Sequence, residues 1–160
     1  MDLMEAVPVV PVLNNAVRGL CLKPYHGHKK GCPNYGKADR CPPNAKLLWD
    51  IIDKDKPVLC VYNKFPFGEH VAKMKKLHPE WSQKQCECCL YWQGTARKQL
   101  KEKIKRAVDG RGLFGNTLEI LTTPEACGVD VTATMKRIGI DLEWPPKKFT
   151  YQVAIIGYMK

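Results

Sequence analysis

Apolar residues recur at helical spacing in four stretches of this chain, and form short β-branched and aromatic runs in three others. The predicted helices cover residues 44–52, 68–77, 82–108 and 130–137, the predicted strands cover residues 57–65, 117–121 and 150–159, and residues 9–12 are a candidate short strand. Strands that are separated by helices usually pair in parallel through right-handed crossovers. We therefore expect an α/β fold with a small, mostly parallel sheet of three to four strands flanked by helices.

The long third helix has a start signal and a predicted inner face. Ser82 followed by Gln85 is a capping box, and Trp81 with Cys86 forms a hydrophobic staple around it. The apolar stripe of this helix comprises Cys89, Trp92, Ala96, Leu100, Ile104 and Val108. This stripe predicts one continuous helix packed against the sheet.

Residues 21–43 form a segment of different composition. They contain four Pro, three Gly and three Cys with almost no apolar periodicity, which neither a helix nor a central strand tolerates. The chain of 160 residues has the usual length of one domain. We therefore expect a single domain over residues 1–160, with a cysteine-rich metal-binding loop at 21–43 and an α/β body at 44–160.

The chain is strongly basic, with a net charge of +10 and a pI of about 9.2. Residues 21–46 carry six basic residues against one acidic residue, and residues 97–111 carry seven against two. Such a charge balance favours an anionic ligand or nucleic acid as the partner. The i, i+4 spacing of Arg97, Lys101 and Lys105 predicts one helix face that can contact phosphates.

Cellular location is predicted from the apolar runs and from the start of the chain. No apolar run approaches the roughly 18 to 20 residues that a membrane helix needs. Asp2 and Glu5 stand where a secretory signal would carry positive charge. We therefore expect a cytoplasmic protein without a membrane partner. Its eight cysteines then indicate metal or redox chemistry rather than disulfides.

The cysteines of the loop have the spacing of a metal site. Cys21, Cys32 and Cys41 are separated by ten and eight residues, whereas zinc ribbons and fingers favour pairs two to four residues apart. Cys32 and Cys41 are each followed by proline, and a Cys-Pro pair occurs in iron–sulfur ligand runs. Metal ligation would supply the folding free energy that the apolar residues of the loop do not. The spacing favours a [4Fe–4S] cluster over the alternative, zinc.

Four segments carry a resemblance that covers most of the chain. PYHGHKKGCPNYG, CPP, LYWQGTARKQL and PEACGVDVTATM resemble a family of small cysteine-rich proteins that are predicted to bind metal and have no established reaction. The resemblance implies a metal or iron–sulfur site on Cys21, Cys32 and Cys41. Cys127, within the PEACGVDV match, is implied as a fourth ligand or a nearby thiol.

Three residues are candidates for proton transfer beside such a site. His26 and His28 flank a glycine inside the loop, and imidazole titrates near neutral pH or binds metal. Glu125 is a candidate general base. Asp130 predicts the N-cap of the following helix, whose positive end would stabilise a negatively charged cluster or a phosphate.

The remaining cysteines have simpler interpretations. Cys60 lies in an apolar strand and is predicted to be core. The run CECC resembles a metal motif, but one helix would place Cys88 and Cys89 about 100° apart. A second metal site there is accordingly the weaker alternative.

Two hypotheses of different classes follow. The first is a cytosolic protein with a [4Fe–4S] cluster on three cysteines, whose open iron binds or activates an anionic small molecule, a nucleotide or RNA. The second is a zinc-stabilised nucleic-acid-binding module without catalysis, with His26 or His28 as the fourth ligand. Whether the protein is an enzyme stays open between them.

Overall fold

The computed structural model describes residues 6–23, 29–33, 35–37, 39, 41–110 and 117–160, except for the side chain of Cys21.

The fold is built on one four-stranded sheet. Its strands are β1 (Val7–Pro8), β2 (Leu59–Phe65), β3 (Leu118–Leu121) and β4 (Thr150–Tyr158). Their order in the sheet is β1-β2-β4-β3, and every neighbouring pair is antiparallel. β4 is therefore central, with seven residue pairs to β2 on one side and four to β3 on the other.

The expectation of a mostly parallel sheet is wrong. β2 and β3 both run antiparallel to β4, so they run parallel to each other, as a crossover predicts. They are not neighbours, because the C-terminal strand lies between them. After β3 the chain forms a 3-10 helix over Pro124–Cys127, one short α-helix over Val131–Arg137 and an irregular segment, residues 138–149, before it enters the sheet in the opposite direction. The alternation of helical and strand patterns along the sequence predicted a sheet with helices, but it did not predict that β4 lies between β2 and β3.

Five α-helices surround the sheet within the part of the chain that the structure describes. They are α1 (Leu48–Ile51), α2 (Phe67–Leu77), α3 (Gln83–Cys86), α4 (Gln93–Gly110) and α5 (Val131–Arg137). Three 3-10 helices join them: η1 (Asn15–Leu22), η2 (Cys89–Tyr91) and η3 (Pro124–Cys127). None of the α-helices in the described ranges combines the length and the apolar character needed to cross a bilayer.

The predicted helix over residues 82–108 is divided into three pieces. Its capping box is confirmed, since Ser82 accepts from Gln85 N and the Gln85 side chain accepts from Ser82 N. The helix ends at Cys86, because Cys88 adopts a non-helical conformation with ψ of 127°. The continuous helix resumes only at Gln93.

The two faces of the sheet are covered by different layers. On one face, Leu100 and Ile104 of α4 pack against Val61, Ala154 and Ile156. On the other face, Ile155 and Val153 of β4 alternate with those residues and pack in a larger cluster. That cluster takes in α1, η3 and α5 through Leu48, Ile52, Cys127, Val131 and Met135. Burying each such aliphatic side chain contributes about 1.5–3 kcal/mol, so both layers are needed to stabilise β4.

Gly157 is a position where the sheet and the α1 region approach too closely for a side chain. A Cβ atom there would lie 2.6 Å from Cδ1 and 3.0 Å from Cβ of Ile52, which is fully buried. We predict that Gly157→Ala lowers the free energy of unfolding by about 1–3 kcal/mol through overpacking, measured by urea denaturation.

The matched control is Gly94→Ala in the first turn of α4. An added Cβ atom there meets nothing within 4 Å, and alanine favours the helix over glycine by up to about 1 kcal/mol. The control should be as stable as the unchanged chain or more stable. Equal stability of the two variants would contradict the close contact at Gly157.

Candidate metal centre

Three segments that carry predicted metal ligands are joined by one arginine. Arg18 lies in η1, and its Nε donates to Ala126 O at 3.0 Å, within η3. Its Nη2 donates to Pro43 O at 3.3 Å and to Ala45 O at 2.5 Å, in the turn that follows Cys41. Hydrogen bonds from a charged donor contribute about 1.5–3 kcal/mol. Arg18 therefore holds the Cys41 turn and the Cys127 turn against the helix that contains Cys21.

The Cys32 turn is joined to the Cys41 turn by a second side chain. Asn44 Nδ2 donates to Gly36 O at 3.0 Å. Within each turn the backbone is closed by a short-range hydrogen bond, from Tyr35 N to Cys32 O at 3.3 Å and from Ala45 N to Cys41 O at 2.9 Å. The described parts of the loop thus have a defined backbone although they contribute little to either core cluster.

The four predicted metal ligands differ in environment. The backbone of Cys21 lies three residues beyond Arg18 in η1, which is one turn of a 3-10 helix, and its side chain is outside what the structure describes. Cys32 and Cys41 are free thiols of intermediate exposure, and Cys127 is a buried free thiol. Cys32 and Cys41 therefore remain accessible to an incoming metal, while Cys127 is covered by protein.

The electrostatic surroundings of Cys127 favour its neutral form. Burial raises the pKa of this thiol, the Arg18 guanidinium opposes the shift, and the Glu125 carboxyl adds to it. The pKa of Glu125 is itself raised, chiefly by burial, with the Asp130 carboxylate adding a smaller contribution against a backbone hydrogen bond that lowers it. Glu125, Cys127 and Arg18 therefore form a group of one acid, one thiol and one cation.

Two of the predicted proton-transfer residues, His26 and His28, lie outside the described residues. Among the side chains that are described, no group of three or more His, Cys, Asp or Glu is arranged to hold a metal ion. That set includes Cys32, Cys41, Cys127 and Glu125 but not the Cys21 side chain. The structure accordingly brings the ligand-bearing turns near to one another without showing three sulfurs at one point.

Of the cysteines outside the loop, Cys60 lies in the core as predicted, whereas Cys88 and Cys89 do not lie on one helix as expected. Cys60 is fully buried in the core, its thiol lies 3.7 Å from Met135 Sδ, and burial raises its pKa to about 12. Cys86 is also fully buried. Cys88 and Cys89 are half-buried and follow the end of α3, so the argument from their spacing on one helix does not apply to them.

The predicted phosphate-contacting residues lie on a different part of the molecule. Arg97, Lys101 and Lys105 are exposed on α4. The opposite side of this helix packs on the sheet through Leu100 and Ile104. Within the described ranges, none of the three cations forms a hydrogen bond or an ion pair.

Arg18 is the site residue that sequence reasoning missed. Its three acceptors are backbone carbonyls distant in the sequence, so no motif marks them. One signal was available: Arg18 is the only charged residue in residues 6–22. A single cation in an apolar segment needs specific partners when the segment packs against the core.

Comparison with protein-family models, with curated proteins and with solved structures finds no match to this chain.

We predict that Arg18→Met destabilises the junction of the three segments. Three carbonyls lose their shared donor, which should lower the free energy of unfolding by about 1–3 kcal/mol. Hydrogen exchange of the Ala45 amide, which is bonded to Cys41 O, should become faster. Urea denaturation and exchange measured by NMR report the two effects separately.

Arg137→Met is the matched control for the loss of an arginine. Arg137 makes one exposed hydrogen bond, to Val10 O at 3.4 Å, so its removal should change stability by about 0.5 kcal/mol or less. Unaltered exchange at Ala45 in Arg18→Met would show that the loop is ordered by other contacts.

Proposed function

We propose that this chain is a cytosolic iron–sulfur protein of the cysteine-rich family that it resembles. In this proposal Cys21, Cys32 and Cys41 hold a [4Fe–4S] cluster, and one iron stays open for an anionic small molecule, a nucleotide or RNA. Cys127 is a neighbouring thiol in this proposal rather than the fourth ligand.

The observation that carries the proposal is the set of hydrogen bonds by which Arg18 joins three ligand-bearing segments, which we call the arginine junction. Arg18 is bonded to the turn after Cys41 and to the turn that contains Cys127, and Cys21 belongs to the same short helix as Arg18. Asn44 extends the junction to the turn that begins at Cys32. Residues separated by more than a hundred positions are thereby joined in one region. A metal site whose ligands come from several turns requires that these turns lie close together.

The residues at this junction suit a cluster on three chemical grounds. Thiolate sulfur is the ligand that iron–sulfur clusters use. Cys32 and Cys41 are only half-buried, so an incoming metal can reach their sulfur atoms. The loop has few apolar contacts of its own, and ligation would add folding free energy there.

The burial of Cys127 supports three ligands rather than four. A buried thiol with a raised pKa resists the deprotonation that ligation requires. An iron with an open position acts as a Lewis acid towards a hydroxyl, thiol or sulfide. Glu125, whose pKa is raised, keeps its proton at higher pH than an exposed carboxyl does and is the proposed proton donor of the site. His26 and His28 are the other proposed proton carriers, on the strength of the sequence alone.

The metal proposal predicts iron and sulfide in protein purified without oxygen, with the broad visible absorption of a [4Fe–4S] cluster. Cys21→Ser, Cys32→Ser and Cys41→Ser should each lose iron, since each removes one of three ligands. Cys127→Ser should keep its iron but change the response of the cluster to added thiol or cyanide, followed by electron paramagnetic resonance.

Cys60→Ser is the control, because Cys60 lies in the core against Met135. It should keep the iron content of the unchanged protein. A colourless, iron-free and folded protein would overturn the cluster. Iron loss from Cys127→Ser with the fold retained would replace the open iron by a fourth cysteine ligand.

A second candidate function is supported by the exposed cations of α4. Arg97, Lys101 and Lys105 recur every four residues, about 6 Å apart along the axis, and form no ion pair with any residue that the structure describes. Such a face suits phosphate contacts in a zinc-stabilised nucleic-acid-binding module.

The zinc candidate predicts stoichiometric zinc and salt-dependent binding of DNA or RNA. Lys101→Gln and Lys105→Gln should each reduce the slope of log affinity against log salt by about 1, measured by fluorescence anisotropy. Lys136→Gln on α5 is the control, since it removes an exposed lysine from a helix in the other layer. Binding that is indifferent to salt would exclude this function.

A further inference from the structure

Three aromatic rings contact one another near the surface, next to the start of α4: one pair is stacked and the other is tilted. The rings of His78 and Trp81 lie 3.9 Å apart at an interplanar angle of 9°. The rings of Trp81 and Tyr91 lie 5.0 Å apart at 35°. Tyr91 is 51% exposed, and the adjoining Leu90 is 84% exposed. We call His78, Trp81 and Tyr91 the ring stack.

The ring stack differs from the other tryptophan of this region. Trp92 stacks on Phe65 with centroids 5.4 Å apart and meets Phe67 edge-on. Phe65 and Phe67 are buried, so these rings form part of the core. His78, Trp81 and Tyr91, in contrast, belong to none of the core clusters among the described residues.

Hydrogen bonds to backbone carbonyls fix the chain segments that carry the ring stack. Lys75 Nζ donates to Pro79 O at 3.0 Å and also to Trp81 O, while Trp81 N donates to His78 O at 2.9 Å. On the other side, Tyr91 N donates to Cys88 O at 3.2 Å. Segments that are ordered before a ligand arrives lose little conformational entropy on binding, which favours affinity.

The charge around the ring stack is mainly positive. The exposed cations of this region are Lys73, Lys75, Lys76 and Lys84. The carboxylate of Glu80 lies 3.7 Å from His78 Nδ1 and offsets part of this charge. α4 begins two residues after Tyr91, and Arg97 and Lys101 are exposed cations within its first three turns. A ligand for this surface therefore needs flat apolar groups and regularly spaced negative charges.

We propose that the ring stack is a stacking platform for the bases of single-stranded nucleic acid, whose phosphates follow the exposed cations of α4. Stacking on aromatic rings is the common mode by which unpaired bases are bound, whereas bases inside a duplex are not available for it. The proposal deepens the function above by naming the class of its anionic partner, and it uses no residue of the metal centre. A protein partner would use the exposed Leu77 and Leu90 instead, but it would not require three aromatic rings in contact with one another.

Fluorescence anisotropy with a labelled single-stranded RNA of about 12 nucleotides tests the platform. Tyr91→Ala should weaken binding about 5- to 150-fold, the range measured for loss of one stacked base. The salt slope should stay unchanged, because no phosphate contact is removed. Tyr91→Phe keeps the ring and should bind as the unchanged protein does. The same RNA annealed to its complement should bind more weakly.

Trp144→Ala removes an aromatic side chain that is 72% exposed elsewhere on the surface. It should leave RNA affinity unchanged, with folding of all variants checked by circular dichroism. Equal affinity of Tyr91→Ala and the unchanged protein, or equal loss in Tyr91→Ala and Trp144→Ala, would overturn the platform. If the double variant His78→Ala/Tyr91→Ala also binds RNA as the unchanged protein does, the stacking platform is excluded and a protein partner is the remaining ligand for this surface. Cys32→Ser, assayed for iron and for RNA in parallel, separates a failure of the metal proposal from a failure of this one.

Discussion

The pairing of β4 with β2 and β3 is the constraint on which the rest of the structure depends. β4 is hydrogen-bonded along both edges, and its alternating side chains face two separate clusters. Ala154 and Ile156 need the cover of α4, while Val153 and Ile155 need the cover of the opposite layer. A central strand that is buried on both faces therefore determines where α4 lies on one face and where α1, η3 and α5 lie on the other.

The position of the candidate metal centre follows from that arrangement. η3 follows β3 directly and contributes Cys127 to the larger cluster, so its position is set by the sheet. The N-terminal segment is bonded alongside it, from Asn14 N to Gly128 O and from Asp130 N to Val12 O, both at 2.8 Å. These bonds place η1 next to η3, and Arg18 then reaches the loop. The sheet thus fixes the position of the loop through the buried helix η3 and through the guanidinium group of Arg18, which bonds to both.

Local signals in the sequence predicted the elements well and their arrangement poorly. The capping box at Ser82 and the N-cap at Asp130 are confirmed because each involves residues three apart in the chain. The direction of β4 was missed because it depends on which strands are neighbours, and no local pattern encodes that choice. Arg18 was missed for the same reason, since its acceptors lie 25 to 108 residues away.

The break between α3 and α4 shows how a local pattern can mislead. In a continuous helix Glu87 O would accept from Tyr91 N. Instead it accepts from the indole Nε1 of Trp92 at 3.1 Å, and Tyr91 N bonds to Cys88 O three residues earlier. The indole thereby satisfies a carbonyl that the helix end leaves without its usual partner. Because Trp92 turns inward to make this bond, Leu90 and Tyr91 are left outside the core. The hydrogen bond of the indole thus keeps Trp92 in the core while the neighbouring Tyr91 stays on the surface. The exposed aromatic surface is therefore a consequence of the helix break.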